Sequence, residues 1–264
     1  MNKWDLIVDS EPGVGSWNMA VDEFLFHSLG NEAAHTVLRF YSWKNPTVSI
    51  GYSQKAEDIV DMEFCRLKGI DIVRRITGGK LVLHSDEVTY SLVSSDNDTF
   101  PPTVGDSYRQ VSEALMVGLR EMGLNPCLAQ VPPEEYAREH RLCFSYPARN
   151  EVEVSGKKII GSAQKRFGPK FIQHGLIPLK DNEKLLRSVA LSKEKEKIQM
   201  ISLSQALGKD VDFDWTVSIL CAGISDYFDA DLKVRILTQE EKKAIRYIQK
   251  ERYTDPGWTF GTGG

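Results

Sequence analysis

Little in this sequence could staple, anchor or metallate a fold. Its 264 residues include four cysteines, Cys65, Cys127, Cys143 and Cys221, widely separated and without a C-x-x-C pair. That spacing offers no disulfide framework and no metal-ligand set, so the thiols are expected to be free in a reducing compartment. No apolar run approaches the roughly 20 residues that cross a bilayer. The opening Met1-Asn2-Lys3-Trp4-Asp5 leads straight into a strand-like run, without a charged-then-apolar leader. An excess of positive charge is missing as well: 33 Lys and Arg stand against 37 Asp and Glu, for a net charge of −4. That balance argues against a dedicated binder of nucleic acid or anionic membrane. Repeats, low-complexity tracts and obvious linkers are absent too. The expectation is a cytoplasmic protein with no nucleic-acid or membrane partner and no need for an obligate assembly, hence a monomer.

What is present is an ordinary globular composition, 41% hydrophobic and 27% charged, with length for one large domain. Residues 4–9, 36–41, 47–50 and 70–75 read as strands, with Asn45-Pro46 as punctuation. Ser16 reads as a helix N-cap, with Trp17, Val21, Phe24 and Leu25 on one face behind it. A helix is expected over 57–67. A long amphipathic one is expected over 104–122, where Val111, Leu115, Val117, Leu119 and Met122 are apolar. Residues 81–83, 88–93 and 171–179 are β-like, and 150–166 reads as a hairpin turning at Ser155-Gly156. From about 182 the chain becomes mostly helical and more charged, and its Lys193-Glu194-Lys195-Glu196-Lys197 run reads as a solvated face. Strands clustered in hairpins predict an α+β fold: a mixed, largely antiparallel sheet with packed helices, in a single domain over residues 1–264.

Three segments could carry chemistry. In Arg74-Arg75-Ile76-Thr77-Gly78-Gly79-Lys80, followed by Leu81-Val82-Leu83-His84, adjacent glycines let backbone N–H groups approach a ligand. An arginine beside them can hold an anion by charge-assisted hydrogen bonds. The spacing is not that of a Walker loop, and a plain hairpin turn looks the same. In Gly156-Lys157-Lys158-Ile159-Ile160-Gly161-Ser162-Ala163, strand alternation sends one lysine inward beside small residues. Burial there lowers a lysine pKa and fits it to polarise a carbonyl; two solvated lysines on a surface hairpin is the plainer reading. Cys143 lies in the loop-like Arg141-Leu142-Cys143-Phe144-Ser145-Tyr146-Pro147, the kind of setting where nucleophiles sit, and a neighbouring cation would favour its thiolate. Cys65, Cys127 and Cys221 read as small buried hydrophobes. His84 and His174 each end a β-like run near the glycines, where a hydrogen-bonding role suits them better than proton transfer.

Taken together, these segments resemble the biotin/lipoate protein ligase family. The glycine segment with His84 is similar to that family's acyl-binding loop, and residues 156–163 to its lysine motif, with Lys158 the lysine that matters. Phe171-Ile172-Gln173-His174-Gly175 is similar to the strand that follows. Trp17-Asn18-Met19-Ala20-Val21-Asp22-Glu23 and Leu38-Arg39-Phe40-Tyr41-Ser42-Trp43 also resemble it, and the likeness runs over about residues 4–179, with 253–260 similar to the family's closing segment. Glu87-Val88-Thr89-Tyr90-Ser91 and Cys143-Phe144 resemble the branch that moves octanoyl groups through a cysteine, while Lys80 and Leu176 depart from the usual residues. The resemblance implies an acyltransferase in lipoyl cofactor synthesis. It implies Cys143 as nucleophile and Lys158 as its cationic partner, 158 − 143 = 15 residues away. Thr77, Gly78, Gly79, His84, Gly161, Ser162, Ala163, His174 and Gly175 would surround the acyl chain, with Arg75 toward the carrier's phosphopantetheine or a carboxylate. Acyl carrier protein is the implied donor, a lipoyl domain or glycine-cleavage H protein the acceptor, with no cofactor and no metal. Three alternatives stay open: an ATP- and Mg²⁺-dependent lipoate ligase, a transferase moving octanoyl between H protein and lipoyl domains, and a non-catalytic carrier-binding protein.

Overall fold

The side chains of residues Glu87–Ser94 alternate between two cores, with Val88, Tyr90 and Leu92 in one and Val93 in the other, as the period-2 geometry of a strand requires. Around that strand the computed structural model describes residues 2–30, 34–129, 150–191 and 198–261. In chain order they form β1 (Asn2–Val8), α1 (Gly15–Ser28), β2 (Thr36–Tyr41), β3 (Thr47–Ile50), α2 (Ala56–Ile59), α3 (Met62–Lys68) and β4 (Asp71–Arg74). Then come β5 (Val82–His84), β6 (Glu87–Ser94), α4 (Val104–Glu121), β7 (Pro126–Leu128), β8 (Val152–Val154), β9 (Lys157–Phe167) and β10 (Lys170–Pro178). The last third holds α5 (Glu183–Val189), α6 (Leu203–Leu207), α7 (Phe213–Phe228), β11 (Ala230–Val234), α8 (Gln239–Ile248), a π-helical turn (Gln249–Tyr253) and α9 (Pro256–Phe260).

Eight strands make one sheet in the order β11-β1-β2-β6-β10-β9-β8-β7. β1 runs parallel to β2 and β11, and the other pairings are antiparallel. A smaller sheet, β4-β3-β5, pairs β3 parallel to β4 and antiparallel to β5. This is the mixed, largely antiparallel α+β arrangement expected from the hairpin pattern. Helices α4 and α7 cover one face of the large sheet over Trp4, Phe40, Tyr90, Leu115 and Leu220. Helices α1 and α8 cover the other over Val21, Leu25, Tyr41 and Ile245. The small sheet has its own core, Val48, Ile50, Cys65 and Leu83, which Leu176 of β10 joins. The two sheets therefore meet at β10.

Local chemistry explains most boundaries. The Thr103, Ser202, Asp212 and Thr238 side chains accept N–H bonds at the starts of α4, α6, α7 and α8. The β8–β9 turn uses Ser155 (φ 53°) and Gly156 (φ 71°), both left-handed, the geometry that matches the strands' twist. Four expectations need correction. Ser16 is not a cap: α1 begins at Gly15 after an uncapped Val14, and the Ser16 hydroxyl accepts from Gln249 instead. The 57–67 helix is two, because Asp61 caps α3 through the Phe64 N–H and Val60 bridges to Ala190. The helical last third contains an edge strand, β11, turned by Asp229 at φ 46°. Cys65 is buried as expected, but Cys127 is exposed and Cys221 half-buried. The charged run over 193–197 lies outside the described residues. Among the described residues no helix is long and apolar enough to cross a membrane.

Candidate active site

The chain leaves β4 through two consecutive arginines that do different work. Arg74 is fully buried, and its guanidinium donates to six backbone carbonyls: Gly51, Tyr52 and Gln54 on one side, Trp258, Thr259 and Gly261 on the other. Burial lowers its pKa, and the carbonyl dipoles take the place of a counter-ion. Arg75 holds the loop that follows. One nitrogen donates to Ser49 O and Ser49 Oγ, both at 2.9 Å, and the other to Gly78 O at 2.9 Å and Lys80 O at 2.8 Å. Gly79 takes φ 91°, and a Cβ on Gly51 would lie 2.1 Å from the Gly79 oxygen. The two backbones approach as only glycine allows.

Opposite the loop, β9 and β10 pair Ala163 with His174, Ser162 with Gly175 and Gly161 with Leu176. A Cβ on Gly175 would meet Ser162 Oγ at 2.5 Å and Gly161 O at 2.7 Å. The Tyr90 hydroxyl is 2.7 Å from Ser162 Oγ, and burial pushes it up to about 12. Between loop and strands lies a small, partly open cavity with mainly apolar exposed walls. Arg75, Gly79 and Lys80 line it from the loop, Ser49, Val82 and His84 from the small sheet, and Gly161, Ser162, Ala163, His174, Gly175 and Leu176 from β9 and β10. Met19, Tyr41 and Thr89 complete it.

Behind the wall is a buried charge network. Asp22 on α1 accepts from Arg39 at 2.8 Å, from the Tyr41 hydroxyl at 2.9 Å and from His174 Nδ1 at 2.9 Å. Burial alone would raise the Asp22 carboxyl, but His174, Arg39 and Tyr41 together outweigh it and hold the group below the ordinary aspartate range. Burial pushes His174 below the ordinary histidine range, against the opposing pull of Asp22. The ring is therefore neutral at pH 7. Its Nε2 lies 2.7 Å from Thr77 Oγ1.

The structure thus brings Arg75, Gly79, His84, Gly161, Ser162, Ala163, His174 and Gly175 onto one cavity, while Thr77 and Gly78 brace its loop. Lys158 is buried near the start of β9 and does not line the cavity that the described residues form. Its Nζ is 2.6 Å from Glu151 Oε1, and its cross-strand neighbour is Glu153. Burial raises the Glu153 carboxyl, with Lys158 opposing. Cys143 lies outside the described residues. Asp22, Ser49, Glu87 and Glu151 were missed as contributors. Asp22 and Glu87 lie inside the segments compared above, which assigned neither of them a role.

The model of the lipoyl protein ligase A/B catalytic domain matches residues 15–225. The chain is 36% identical to octanoyltransferase LipM of Carboxydothermus hydrogenoformans, over 93% of this chain and 94% of that one. It is 34% identical to octanoyltransferase LipM of Clostridioides difficile, over 95% and 96% respectively. Its fold is similar to a bi-partite lipoate protein ligase from Thermoplasma acidophilum, with TM-score 0.84, 23% identity and coverage of 99% and 98%. A lipoate-protein ligase A bound with ATP gives TM-score 0.84 at 24% identity, covering 98% and 99%.

Proposed function

This chain belongs to the lipoyl protein ligase A/B catalytic-domain family, and we propose that it transfers an octanoyl group from octanoyl-acyl carrier protein to a lysine of a lipoyl domain or glycine-cleavage H protein. It acts in the cytoplasm as a single catalytic domain, in lipoyl cofactor synthesis. The observation that carries the reading is the cavity: Gly79 of the glycine loop and Gly161, Ala163, Gly175 and Leu176 of β9–β10 help give it a mainly apolar exposed surface suited to an alkyl chain. Whole-length identity to octanoyltransferases supports the branch.

In this mechanism the Cys143 thiolate attacks the donor thioester, and the carrier's thiol departs with a proton. Thioester exchange is nearly isoenergetic, so no nucleotide is needed. Lys158 acts as a cation toward the thiolate and the carbonyl oxygen as charge develops, and the carboxylate of Glu151 supports its protonated form. The acceptor lysine's neutral amine then attacks the acyl-enzyme: the C–N bond of the amide forms, the C–S bond breaks, and the proton lost by the amine passes to the sulfur, restoring the Cys143 thiol.

Intact-protein mass spectrometry tests this after mixing the chain with octanoyl-acyl carrier protein in the absence of ATP. A hydroxylamine-labile octanoyl adduct on the wild type, missing from Cys143→Ala, is the expected outcome. Acylation of a lipoyl domain only when ATP and free octanoate are added would replace the transferase with a ligase.

A further inference from the structure

Two histidines in the cavity wall share one pattern of wiring. His84 places Nδ1 2.7 Å from Glu87 Oε1 and Nε2 2.7 Å from Ser49 Oγ. His174 places Nδ1 2.9 Å from Asp22 Oδ2 and Nε2 2.7 Å from Thr77 Oγ1. An ionised carboxylate only accepts, so each ring donates from Nδ1. In the neutral ring Nε2 then accepts, and the hydroxyl must give it a proton. Both carboxylates are buried, Asp22 at 1% and Glu87 at 2% exposure, and both are themselves held. Thr89 donates to Glu87 Oε1 while accepting from Trp43 Nε1, and the His84 ring stacks on Trp43 at 3.9 Å. Asp22 is held by Arg39 and Tyr41.

Both hydroxyls bear on the glycine loop. Thr77 belongs to it, and Ser49 Oγ accepts from Arg75, which grips Gly78 and Lys80. The two ring hydrogens are thereby directed to the carboxylates and the two hydroxyl hydrogens to the ring nitrogens, not into the cavity. A wall rich in polar residues then offers a surface on which an alkyl chain lies without stranding a donor.

We propose that Asp22 and Glu87 are positioning residues of the acyl-chain site: by fixing the Nδ1-protonated tautomers of His174 and His84 they keep both ring hydrogens, and the hydrogen of the cavity-lining Ser49 hydroxyl, turned away from the cavity, and so select an unsubstituted alkyl chain over one carrying polar groups. This rests on reading the cavity as the acyl site. Without Glu87, the His84 ring is free to carry its proton on Nε2, aimed at a Ser49 oxygen that already accepts from Arg75. The serine's own hydrogen then turns toward the cavity.

Nitrogen-15 NMR of histidine-labelled protein reads the tautomers directly. Both rings of the wild type are expected in the Nδ1–H form. In Glu87→Ala, His84 alone should leave that form, KM for octanoyl-acyl carrier protein should rise roughly tenfold, about the effect of one misdirected hydrogen bond, and discrimination against an ω-hydroxyoctanoyl donor should shrink. Glu87→Gln, whose amide oxygen still accepts from Nδ1–H, should restore all three. Thr77→Val keeps the His174 tautomer if Asp22 sets it, and covers the case in which Glu87→Ala does not fold. An Nε2–H form in the wild type, a His174 that switches in Thr77→Val, or unmoved tautomer and KM in Glu87→Ala overturns the proposal. The spectra need no donor, so failure here and failure to form the Cys143 adduct are separate results.

Discussion

Asp22 collects an arginine, a tyrosine and a histidine on two oxygens, although its sequence position is only that of an acidic residue on a helix. Because its carboxyl is depressed, the stability it contributes is complete above the ordinary aspartate range and is lost as the pH falls through its lower native value. Thermal denaturation should therefore show a wild-type Tm that declines on acidification below about pH 4. Asp22→Asn leaves Arg39 with Asp9 as its carboxylate and should unfold about 3–5 kcal/mol more easily at pH 7, with a flatter acid limb. A variant as stable as wild type at pH 7 would show that the network is not what holds α1 to the sheet. At this scale the lining residues were legible because the glycines and histidines stand in segments that resemble a family's motifs. Their supports were not legible: Asp22 is buried among Arg39, Tyr41 and His174, partners far along the chain, whereas Glu87 and Glu151 meet His84 and Lys158 close by, yet local patterning assigns carboxylates to solvent.

Helix α4 ends within a residue of expectation and buries Val111, Leu115, Leu119 and Met122 as the period predicted, while Val117 is only half-buried, since one amphipathic face against one sheet is what periodicity encodes. Helix α1 is different. Asn18, Asp22 and Glu23 are buried along with Val21 and Leu25, so its polar face is internal and an apolar stripe alone underdescribes it. Edge strand β11 stayed hidden because its short Ala230–Val234 run carries Asp231 and Lys233 and pairs only with β1, at the other end of the chain. The contact between α4 and α7 supplies a test of element packing. A Cβ on Gly223 would lie 2.4 Å from the Gly118 nitrogen and 2.7 Å from its Cα, a backbone that cannot swing aside. Gly223→Ala gains at most about 1 kcal/mol in helix propensity and should lose about 1–3 kcal/mol to overpacking. Urea unfolding should show a lower midpoint with an unchanged slope; a more stable variant would mean the helices separate at no cost.

For the whole molecule, the important fact is that the cavity lies where the small sheet meets the large one. Its walls come from β3, β5 and the glycine loop on one side and from β9 and β10 on the other. A ligand there should stabilise both sides together, by about 2.7 kcal/mol at a hundredfold excess over its Kd. Hydrogen exchange with saturating octanoate should slow in β3–β5 and in β9–β10 alike; slowing confined to one side would place the ligand elsewhere. The mixed, largely antiparallel sheet with packed helices was legible from hairpin clustering, but the meeting of two sheets was not, because it depends on Leu176 joining a core made mostly of residues more than eighty positions earlier.

The six carbonyls around Arg74 also make that side chain a clasp between distant stretches of chain. Three of them belong to residues 51–54 and three to residues 258–261. A single guanidinium thus fastens the segment that carries Trp258 to the turn after β3, directly beside the glycine loop. Cutting the chain between the π-helical turn and α9 would hand three of its hydrogen bonds to water, so the clasp would open at the glycine loop although no residue of that loop had changed.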